Sequence, residues 1–213
     1  MGYLLDNCLF DRLSSEIINQ CQPFTCSKDV DIDSFFHDNT PDNYSDYRTE
    51  MMGTTHCFYT DTKDEYGLAN MVCAFSLSSS SLRTDVLPNN LRNRFNRSIP
   101  NAKRRSQYPA ILIGELCVFD GFGQKAFGHN VADEMMDLIK TIAINPDNNC
   151  SSRYLIVDAL NSPEVIDYYK RNGFVFLFAS DGEELEYLRG VPNDGSHKCK
   201  TRLMMFDLIV LHQ

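Results

Sequence analysis

The sequence predicts an α/β fold built on a central sheet, and three stretches of the chain support that prediction. Residues 153–178 are predicted to form a strand, a helix and a second strand with almost no linker. Residues 110–118 are nearly continuously apolar, which is typical of a strand buried on both faces at the centre of a sheet. Residues 129–142 place apolar side chains at helical spacing and predict an amphipathic helix. Strands that alternate with packed helices are characteristic of α/β proteins.

Length and composition indicate a globular chain with one domain over residues 1–213. The 213 residues are enough for a full hydrophobic core, and 43% hydrophobic with 23% charged residues exclude a disordered chain. The sequence has no run of about eighteen apolar residues, so we expect no membrane span. Residues 1–11 lack the basic residues with which a signal peptide begins, and they carry two aspartates, so we expect no signal peptide.

The charge balance and the cysteines restrict the partners and the compartment. A net charge of −9 and a pI of about 5.0 disfavour broad nucleic-acid binding. The eight cysteines show no paired spacing of the kind that holds a metal ion, and several lie in apolar stretches, where Cys acts as a small hydrophobe. We therefore expect reduced thiols, no bound metal and a cytoplasmic protein.

The N-terminal half is predicted to contain short helices and a pair of neighbouring strands. The polar segment at 61–67 is typical of a loop, so the strands on either side of it form a hairpin-like pair. Four serines at 78–81 are typical of a solvated strand end or a loop. In order, the predicted elements are a weak strand at 3–13, helices at 14–19, 29–37 and 41–52, and strands at 55–60 and 71–77.

Residues 91–105 break the acidic character of the chain, with six of its twenty basic residues in fifteen positions. One interpretation is an anion-facing surface for RNA, cofactor phosphates or an acidic partner. The other is a solvated helix and loop that offset an acidic body, which is favoured because only Phe95 could stack on a base. The basic residues are Arg92, Arg94, Arg97, Lys103, Arg104 and Arg105.

A candidate anion site follows the predicted central strand. Within that strand, Gly114 suggests a bulge or the close approach of another backbone, and Glu115 is its one charge. Residues 119–128 form a glycine-rich loop that leads into the predicted helix at 129–142. Free backbone N–H groups and the positive end of a helix dipole converge at such a junction, where they bind anions.

The strand–helix–strand stretch carries its own boundary signals. Ser162 can cap a helix that begins at Pro163, where a missing N–H costs nothing. Tyr169 falls on the apolar face of this helix by its spacing. Gly173 is placed to adopt the left-handed conformation that ends the helix. The apolar residues 174–178 then predict a strand that enters the core.

The same stretch resembles a cofactor motif. Asp158-Ala159-Leu160-Asn161, followed by a helix that ends Tyr168-Tyr169-Lys170-Arg171-Asn172-Gly173-Phe174, resembles the second acetyl-coenzyme A motif of the GNAT superfamily of N-acetyltransferases. In that family an asparagine follows a strand, and the helix ends with an aromatic-tyrosine pair, polar residues and Gly-Phe. The resemblance implies the GNAT fold with acetyl-coenzyme A as the acyl donor.

The loop before the first long helix departs from the family pattern at three positions. The family has Gln or Arg, then Gly, any residue, Gly, any residue, Gly at the positions of residues 123–128. Gly128 matches, whereas Ala126 replaces the middle glycine and Gly123 replaces the leading polar side chain. Gln124 also stands where a glycine is common. The lost side chain removes one contact and could weaken the affinity for the cofactor.

Further segments resemble one branch of the family, the acetyltransferases related to tRNA-acetylating toxins. The resemblance extends over residues 24–208, and its segments are 24–26 with 31–36, Tyr108-Pro109 and 204–208. It implies a single-domain fold of the α/β (α+β) class, with a mixed sheet of six or seven strands flanked by helices. The parallel central strands are expected to splay apart near residues 114–117.

The resemblance also assigns roles to site residues. Tyr169 would protonate the leaving thiolate, whereas Tyr168 would pack. Backbone N–H groups near Cys117 or Val118 would stabilise the oxyanion. Glu115 is our candidate base, with a solvent-facing strand end or an ion pair with an arginine as the alternatives. The cofactor-binding residues are expected to be Leu116, Cys117, Val118, Gln124, Lys125, Ala126, Phe127, Gly128, His129 and Asn161.

Three functions remain open from the sequence. The first is an N-acetyltransferase that acts on a primary amine of a small molecule, a peptide or an aminoacyl group. The second is a toxin that acetylates aminoacyl-tRNA and pairs with an antitoxin, which the net charge disfavours. The third is a catalytically weak protein that binds coenzyme A or another partner. A homodimer is a candidate assembly for any of them, and no membrane partner is expected.

Overall fold

The computed structural model describes residues 2–85, 87–98, 106–145, 147, 151–192 and 198–211. Its strands are β1 (Cys8–Arg12), β2 (Thr54–Thr60), β3 (Met71–Arg83), β4 (Gln107–Val118), β5 (Tyr154–Leu160), β6 (Val175–Phe176) and β7 (Thr201–Asp207). Its α-helices are α1 (Tyr3–Asn7), α2 (Ser15–Ile18), α3 (Val30–Phe35), α4 (Tyr44–Thr49), α5 (Asn89–Ser98), α6 (Gln124–Phe127), α7 (Val131–Ile144), α8 (Pro163–Arg171) and α9 (Asp181–Arg189). Across these ranges, none of the helices has both the length and the apolar character needed to cross a membrane.

The strands are hydrogen-bonded in the order β1-β2-β3-β4-β5-β7-β6, a seven-stranded mixed sheet. The predicted parallel pairing of β4 with β5 is confirmed. The pairs β1–β2, β2–β3, β5–β7 and β6–β7 are antiparallel. The chain divides into two compact units, Met1–Ser78 with Ile113–Ile142 and Ser79–Leu112 with Ala143–Gln213. The single domain over residues 1–213 and the splay near residues 114–117 stay predictions.

In the first unit, helices α2, α3 and α4 bury apolar side chains together with strands β2, β3 and β4. The predicted helices at 14–19, 29–37 and 41–52 are therefore confirmed, although each is shorter than its predicted range. Capping explains where these helices begin, because the side chains of Ser14, Asp29 and Asn43 each accept a hydrogen bond from the backbone of the first turn. The cluster contains Leu13, Ile17, Cys21, Cys26, Phe35, Phe36, Tyr44, Cys57, Ala69, Met71, Ala74, Cys117 and Phe119.

The predicted first strand at 3–13 is wrong in its first half. Residues Tyr3–Asn7 form the helix α1, and only Cys8–Arg12 form a strand. The helix contains no β-branched residue that would favour a strand. It buries Leu4 and leaves Leu5 exposed. A long-range hydrogen bond also holds it, because the Leu4 N–H donates to Glu134 of α7.

In the second unit, β5 and β7 pair over seven residues, from Tyr154 opposite Asp207 to Leu160 opposite Thr201. A hydrogen bond from the Arg153 N–H to the Pro109 carbonyl joins the start of β5 to β4. One buried cluster packs on these strands. It contains Leu82, Leu87, Phe95, Tyr108, Ala110, Tyr154, Ile156, Leu177, Phe178 and Met205.

Helix α8 has the predicted bounds, with Pro163 in its first turn and Tyr169 buried. Gly173 follows it with φ +83°, as predicted, and a Cβ at this position would lie 3.0 Å from the ring of Phe206. Ser162 lies at the N-cap position with an extended backbone. The predicted side-chain cap is nevertheless wrong, because the Ser162 hydroxyl accepts no hydrogen bond from the backbone of the first turn. The proline at N1 leaves one fewer N–H for a cap to satisfy.

Three strand predictions need correction. β4 is only partly buried, since most residues between the buried positions, such as those between Ile113 and Cys117, are half-buried. β3 continues to Arg83, past its predicted end at residue 77. The serines at 78–81 lie in a strand end that becomes more exposed, which is one of the two predictions made for them. The predicted strand at 174–178 shrinks to Val175–Phe176, because Ser180 caps α9 and redirects the chain.

The basic segment at 91–105 lies largely outside the described residues. Its helix is α5, and the Arg92 side chain donates to the Asn89 side chain at 2.7 Å. The side chains of Arg94 and Arg97, and the whole of Lys103, Arg104 and Arg105, are not among the described parts of the chain. The predicted basic surface therefore stays a prediction.

Candidate functional site

The loop after β4, in the first unit, contains a helical turn that the sequence did not predict. Residues Gln124–Phe127 form α6, and Gly128 ends it with φ +82° while its N–H donates to the Gln124 carbonyl at 2.9 Å. No atom lies within 4 Å of the position of a Cβ at Gly128. Glycine is therefore favoured here by backbone conformation and not by lack of space.

Helix α7 begins three residues after this glycine. Over its 14 residues it buries Val131, Met135 and Met136, which fix its N-terminal end against the unit. The first N–H groups of a helix have no partner within the helix, and they carry the positive end of its dipole. The junction of a left-handed glycine with a helix N-terminus can therefore accept an anion.

Two acidic side chains in the first turn of α7 weaken this anion site. Asp133 and Glu134 place negative charge where a bound phosphate would lie. Each has a local partner, because Asp133 accepts a hydrogen bond from the Asn130 amide and Glu134 accepts the Leu4 N–H at 2.8 Å.

An aromatic cluster packs on the same loop, and sequence reasoning missed it. The ring of Tyr3 lies 4.6 Å from Phe127 and 5.1 Å from His129, measured between centroids. Phe127 also contacts His129 at 5.0 Å and Phe122 at 5.1 Å. His129 is exposed. The three loop aromatics are visible in the sequence, but nothing in the spacing points to Tyr3.

Asp120 anchors the start of the loop to the segment around residues 25–27. Its carboxylate accepts hydrogen bonds from the Thr25 hydroxyl at 2.9 Å, the Ser27 N–H at 3.2 Å and the Ser27 hydroxyl at 3.1 Å. The bonds from Thr25 and Ser27 lower the pKa of the Asp120 carboxyl. The segment that resembled the opening of the toxin branch therefore holds one end of the loop.

Glu115 is half-buried on β4, and its N–H donates to the Ser76 hydroxyl at 3.0 Å. Burial raises the pKa of the Glu115 carboxyl above its ordinary 4.5, and the negative charges of Asp29 and Asp31 raise it further. Among the described residues, no arginine forms an ion pair with Glu115, so that alternative is not supported.

The neighbouring positions on β4 differ in burial. Cys117 is 3% exposed, and burial together with a hydrogen bond to the Cys26 thiol raises the pKa of its own thiol. A buried thiol with a raised pKa is chemically inert, so Cys117 offers its backbone and not its sulfur. Leu116 and Val118 are half-buried. For Lys125 and Ala126 of the loop, the structure describes the backbone but not the side chains.

In the second unit, Asn161 follows β5 and is held on two sides. Its backbone N–H donates to the Lys200 carbonyl at 2.9 Å. Its side-chain nitrogen donates to the Asp181 carboxylate at 2.8 Å and to the Cys199 carbonyl at 2.9 Å. Asp158, the first residue of the motif, is exposed and does not hold Asn161. The carboxylate that holds the Asn161 amide belongs to Asp181 of α9, which sequence reasoning missed.

Tyr169 lies on the buried face of α8, with 6% of its surface exposed. Its ring contacts Phe174 at 5.4 Å and Tyr168 at 5.1 Å between centroids. Tyr168 is half-buried, and the Arg171 guanidinium lies 5.5 Å from its ring centroid. Asn161 and Tyr169 thus belong to the second unit, whereas Glu115, Leu116–Val118 and Gln124–His129 belong to the first. Over the described ranges, no group of three or more His, Cys, Asp or Glu side chains could hold a metal ion.

The comparisons with known proteins decide the fold. No protein-family model and no curated protein matches the chain. Several solved structures match over nearly the whole length. A tyrosine-to-phenylalanine mutant of KacT has a TM-score of 0.63 and 13% identity, covering 98% of this chain and 99% of that one. The chain has the GNAT fold.

Two further solved structures share the GNAT fold with this chain. AtaT complexed with acetyl-methionyl-tRNAfMet matches with a TM-score of 0.60 and 13% identity, over 96% of this chain and 97% of that one. AtaTR bound with acetyl-coenzyme A matches with a TM-score of 0.59 and 14% identity, over 98% and 99%. The GNAT fold predicted from the motif at 158–174 is therefore confirmed.

Proposed function

We propose that this chain is an N-acetyltransferase that transfers an acetyl group from acetyl-coenzyme A to a primary amine. The observation that carries the proposal is the junction of Gly128 with the N-terminus of α7. In the GNAT fold this junction follows the strand that the resemblance assigns to the cofactor. AtaTR, which shares the fold over 98% of this chain, was solved with acetyl-coenzyme A bound.

The chain would hold the cofactor mainly through backbone groups. The left-handed Gly128 turns the chain into α7, and the first turn of that helix directs N–H groups at one anionic group, which suits a pyrophosphate. Asn161 would add one side-chain contact. The full set consists of Leu116, Cys117, Val118, Gln124, Lys125, Ala126, Phe127, Gly128, His129 and Asn161.

Bound acetyl-coenzyme A would supply a thioester that a neutral amine attacks directly. Glu115 would accept the proton that the amine loses, and its raised pKa makes it a better base than an ordinary carboxylate. Backbone N–H groups near Cys117 and Val118 would stabilise the carbonyl oxygen as it gains charge. The N–H of Glu115 is not available for this task, because it donates to Ser76.

Tyr169 would donate its hydroxyl proton to the sulfur as the carbon–sulfur bond breaks and the carbon–nitrogen bond forms. A phenol of pKa about 10 and a thiol of about 8.5 are mismatched by an amount worth roughly 2 kcal/mol. A hydrogen bond that strengthens in the transition state can supply free energy of that size. The tyrosine would later be reprotonated from solvent.

For the acceptor, a small-molecule or peptide amine is the first candidate because the chain carries a net charge of −9. The second candidate is an aminoacyl-tRNA, as in a toxin. One observation favours it, since AtaT was solved with acetyl-methionyl-tRNAfMet and shares the fold over 96% of this chain. A polyanion normally needs a basic face, so this substrate would depend on the segment at 91–105.

A two-step experiment tests the proposal. Isothermal calorimetry with acetyl-coenzyme A should detect binding, and a thiol-release assay with polyamines, peptides and aminoacyl-tRNAs should then detect turnover. Turnover on an amine supports the enzyme, and the preferred acceptor decides between the two substrate classes. Binding with no turnover on any of these amines would favour a coenzyme A-binding protein. Absence of binding would refute the proposed function.

A further inference from the structure

The side-chain amide of Asn161 has its orientation determined by its neighbours. Its nitrogen has two partners, the Asp181 carboxylate and the Cys199 carbonyl, and both can only accept hydrogen bonds. The nitrogen must therefore point towards them, and the oxygen must point away. Within the described part of the chain, no donor forms a hydrogen bond with the Asn161 Oδ1.

Asp181 is itself held rigidly. Its Oδ1 accepts from the Arg202 guanidinium at 2.6 Å, and its Oδ2 accepts the Cys199 N–H at 3.0 Å as well as the Asn161 amide. Arg202 has only 6% of its side chain exposed. Its other donors go to the Glu184 carboxylate at 2.7 Å and to the Phe178 carbonyl at 3.0 Å.

The buried guanidinium explains why Asp181 stays in place. A buried charge is costly unless it is paired and hydrogen-bonded, and Arg202 satisfies this requirement with two carboxylates. Rotating Asp181 away would leave Arg202 short of one charged partner. It would also remove the Asp181 acceptor from the Cys199 N–H and from one of the two Asn161 amide N–H groups. The ring of Phe176 lies 4.4 Å from the guanidinium carbon and restricts it from another side.

We infer that Asp181 is a positioning residue for Asn161, which it turns so that only an acceptor oxygen is presented to the cofactor. The inference rests on the proposed function, in which Asn161 contacts coenzyme A. The group that Asn161 recognises must then be a donor, and the amide N–H groups of the pantetheine arm have that chemistry. Neither the spacing in the sequence nor the family motif contains Asp181.

The test compares two isosteric changes around one buried arginine. Asp181→Asn brings a second amide nitrogen towards the Asn161 amide, which then has to flip or move. Glu184→Gln is the matched control, because Glu184 binds the same guanidinium but has no contact with Asn161. Both variants should lower the melting temperature of the full chain by a similar amount. Only Asp181→Asn should weaken the binding of coenzyme A, by roughly 3- to 10-fold, which corresponds to one hydrogen bond.

A double-mutant cycle separates positioning from general destabilisation. Asn161→Ala alone should reduce the affinity for coenzyme A by the same factor as Asp181→Asn. Combining Asp181→Asn with Asn161→Ala should cause no further loss, whereas any loss caused by Glu184→Gln should add in full to that of Asn161→Ala. Equal losses of affinity in Asp181→Asn and Glu184→Gln, or full additivity of Asp181→Asn with Asn161→Ala, would overturn the inference.

A second readout does not depend on the cofactor. The side-chain amide signals of Asn161 in the nuclear magnetic resonance spectrum should move strongly in Asp181→Asn and little in Glu184→Gln. Unchanged Asn161 signals in Asp181→Asn would refute the positioning role, whether or not coenzyme A binds. If the signals move but the wild-type chain binds no coenzyme A, Asp181 still orients Asn161 and the proposed function is what fails.

Discussion

The hydroxyl of Ser76 occupies the space that a side chain at Gly114 would fill. Ser76 is buried on β3, with 1% of its surface exposed, and Gly114 lies on the neighbouring strand β4. The same hydroxyl accepts the N–H of Glu115 at 3.0 Å. The absence of a side chain at Gly114 therefore lets the Ser76 hydroxyl approach closely and bind the backbone N–H of Glu115, the candidate base.

Gly114→Ala should lower the free energy of unfolding by about 1–3 kcal/mol, because the new methyl group overpacks against Ser76. Ser76→Ala should also destabilise, by about 1–2 kcal/mol, since it leaves the Glu115 N–H without its acceptor. In the double variant the clash is absent, so its loss should be smaller than the sum. Chemical denaturation of the four proteins measures this. Simple additivity would mean that the two positions do not interact.

Gly128→Val should reduce the affinity for acetyl-coenzyme A at least tenfold, because a β-branched residue resists the φ of +82° that closes α6. Gly128→Asn should be milder, since asparagine tolerates the left-handed region. Gly123→Ala is the matched control, because its φ is −62° and no atom lies within 4 Å of the new methyl group. Calorimetry on the three variants checks the order, and equal affinities would count against the loop as the cofactor site.

Glu134→Gln should strengthen the binding of acetyl-coenzyme A by about 2- to 5-fold. It removes a negative charge from the first turn of α7 and keeps an acceptor for the Leu4 N–H. Asp137→Asn provides the control, since this exposed residue lies one turn further along, where the dipole effect has faded. The gain should shrink at high salt. No difference between the two variants would mean that the phosphates bind elsewhere.

The boundaries of α8 could be predicted because their causes are local. A proline at the first position and a glycine just past the end act through the backbone of one short segment. The partners of Asn161 could not be predicted in this way. They lie 20 and 38 positions further along the chain and reach Asn161 only when the chain folds. Tyr3 is a similar case. The sequence around Tyr3 indicated a strand, but in the structure Tyr3 belongs to helix α1, which Glu134 holds through the Leu4 N–H. The packing of Tyr3 on the loop depends on that helix.

Glu115 should make the stability of the chain depend on pH. Its pKa is raised on folding, so the folded state holds its proton more tightly than the unfolded state. The contribution of Glu115 to stability is then present below its ordinary value of 4.5, and it is lost as the pH rises through the folded-state pKa. Melting curves of the wild type and Glu115→Gln over a pH series test this. The variant should gain relative stability as the pH increases, and a constant difference would show that the carboxyl is not perturbed.

The last prediction concerns Tyr169, because it separates an enzyme from a binding protein. Tyr169→Phe should keep the fold, since it removes only an oxygen from a side chain whose ring packs on Phe174 and Tyr168. The affinity for acetyl-coenzyme A should change little, because the hydroxyl acts as the thiolate develops. Turnover should fall by roughly 10²- to 10⁴-fold, the range for a lost general acid.

Tyr168→Phe is the neighbouring control for this prediction. Tyr168 is half-buried beside Arg171, and its loss of a hydroxyl should leave turnover within a few-fold of the wild type. Single-turnover rates of thiol release, measured on the acceptor that the binding and turnover experiment identifies, compare the two variants. Equal rates for the wild type and both variants would make Tyr169 a packing residue of α8, and the proton would then have to reach the thiolate from another group or from water.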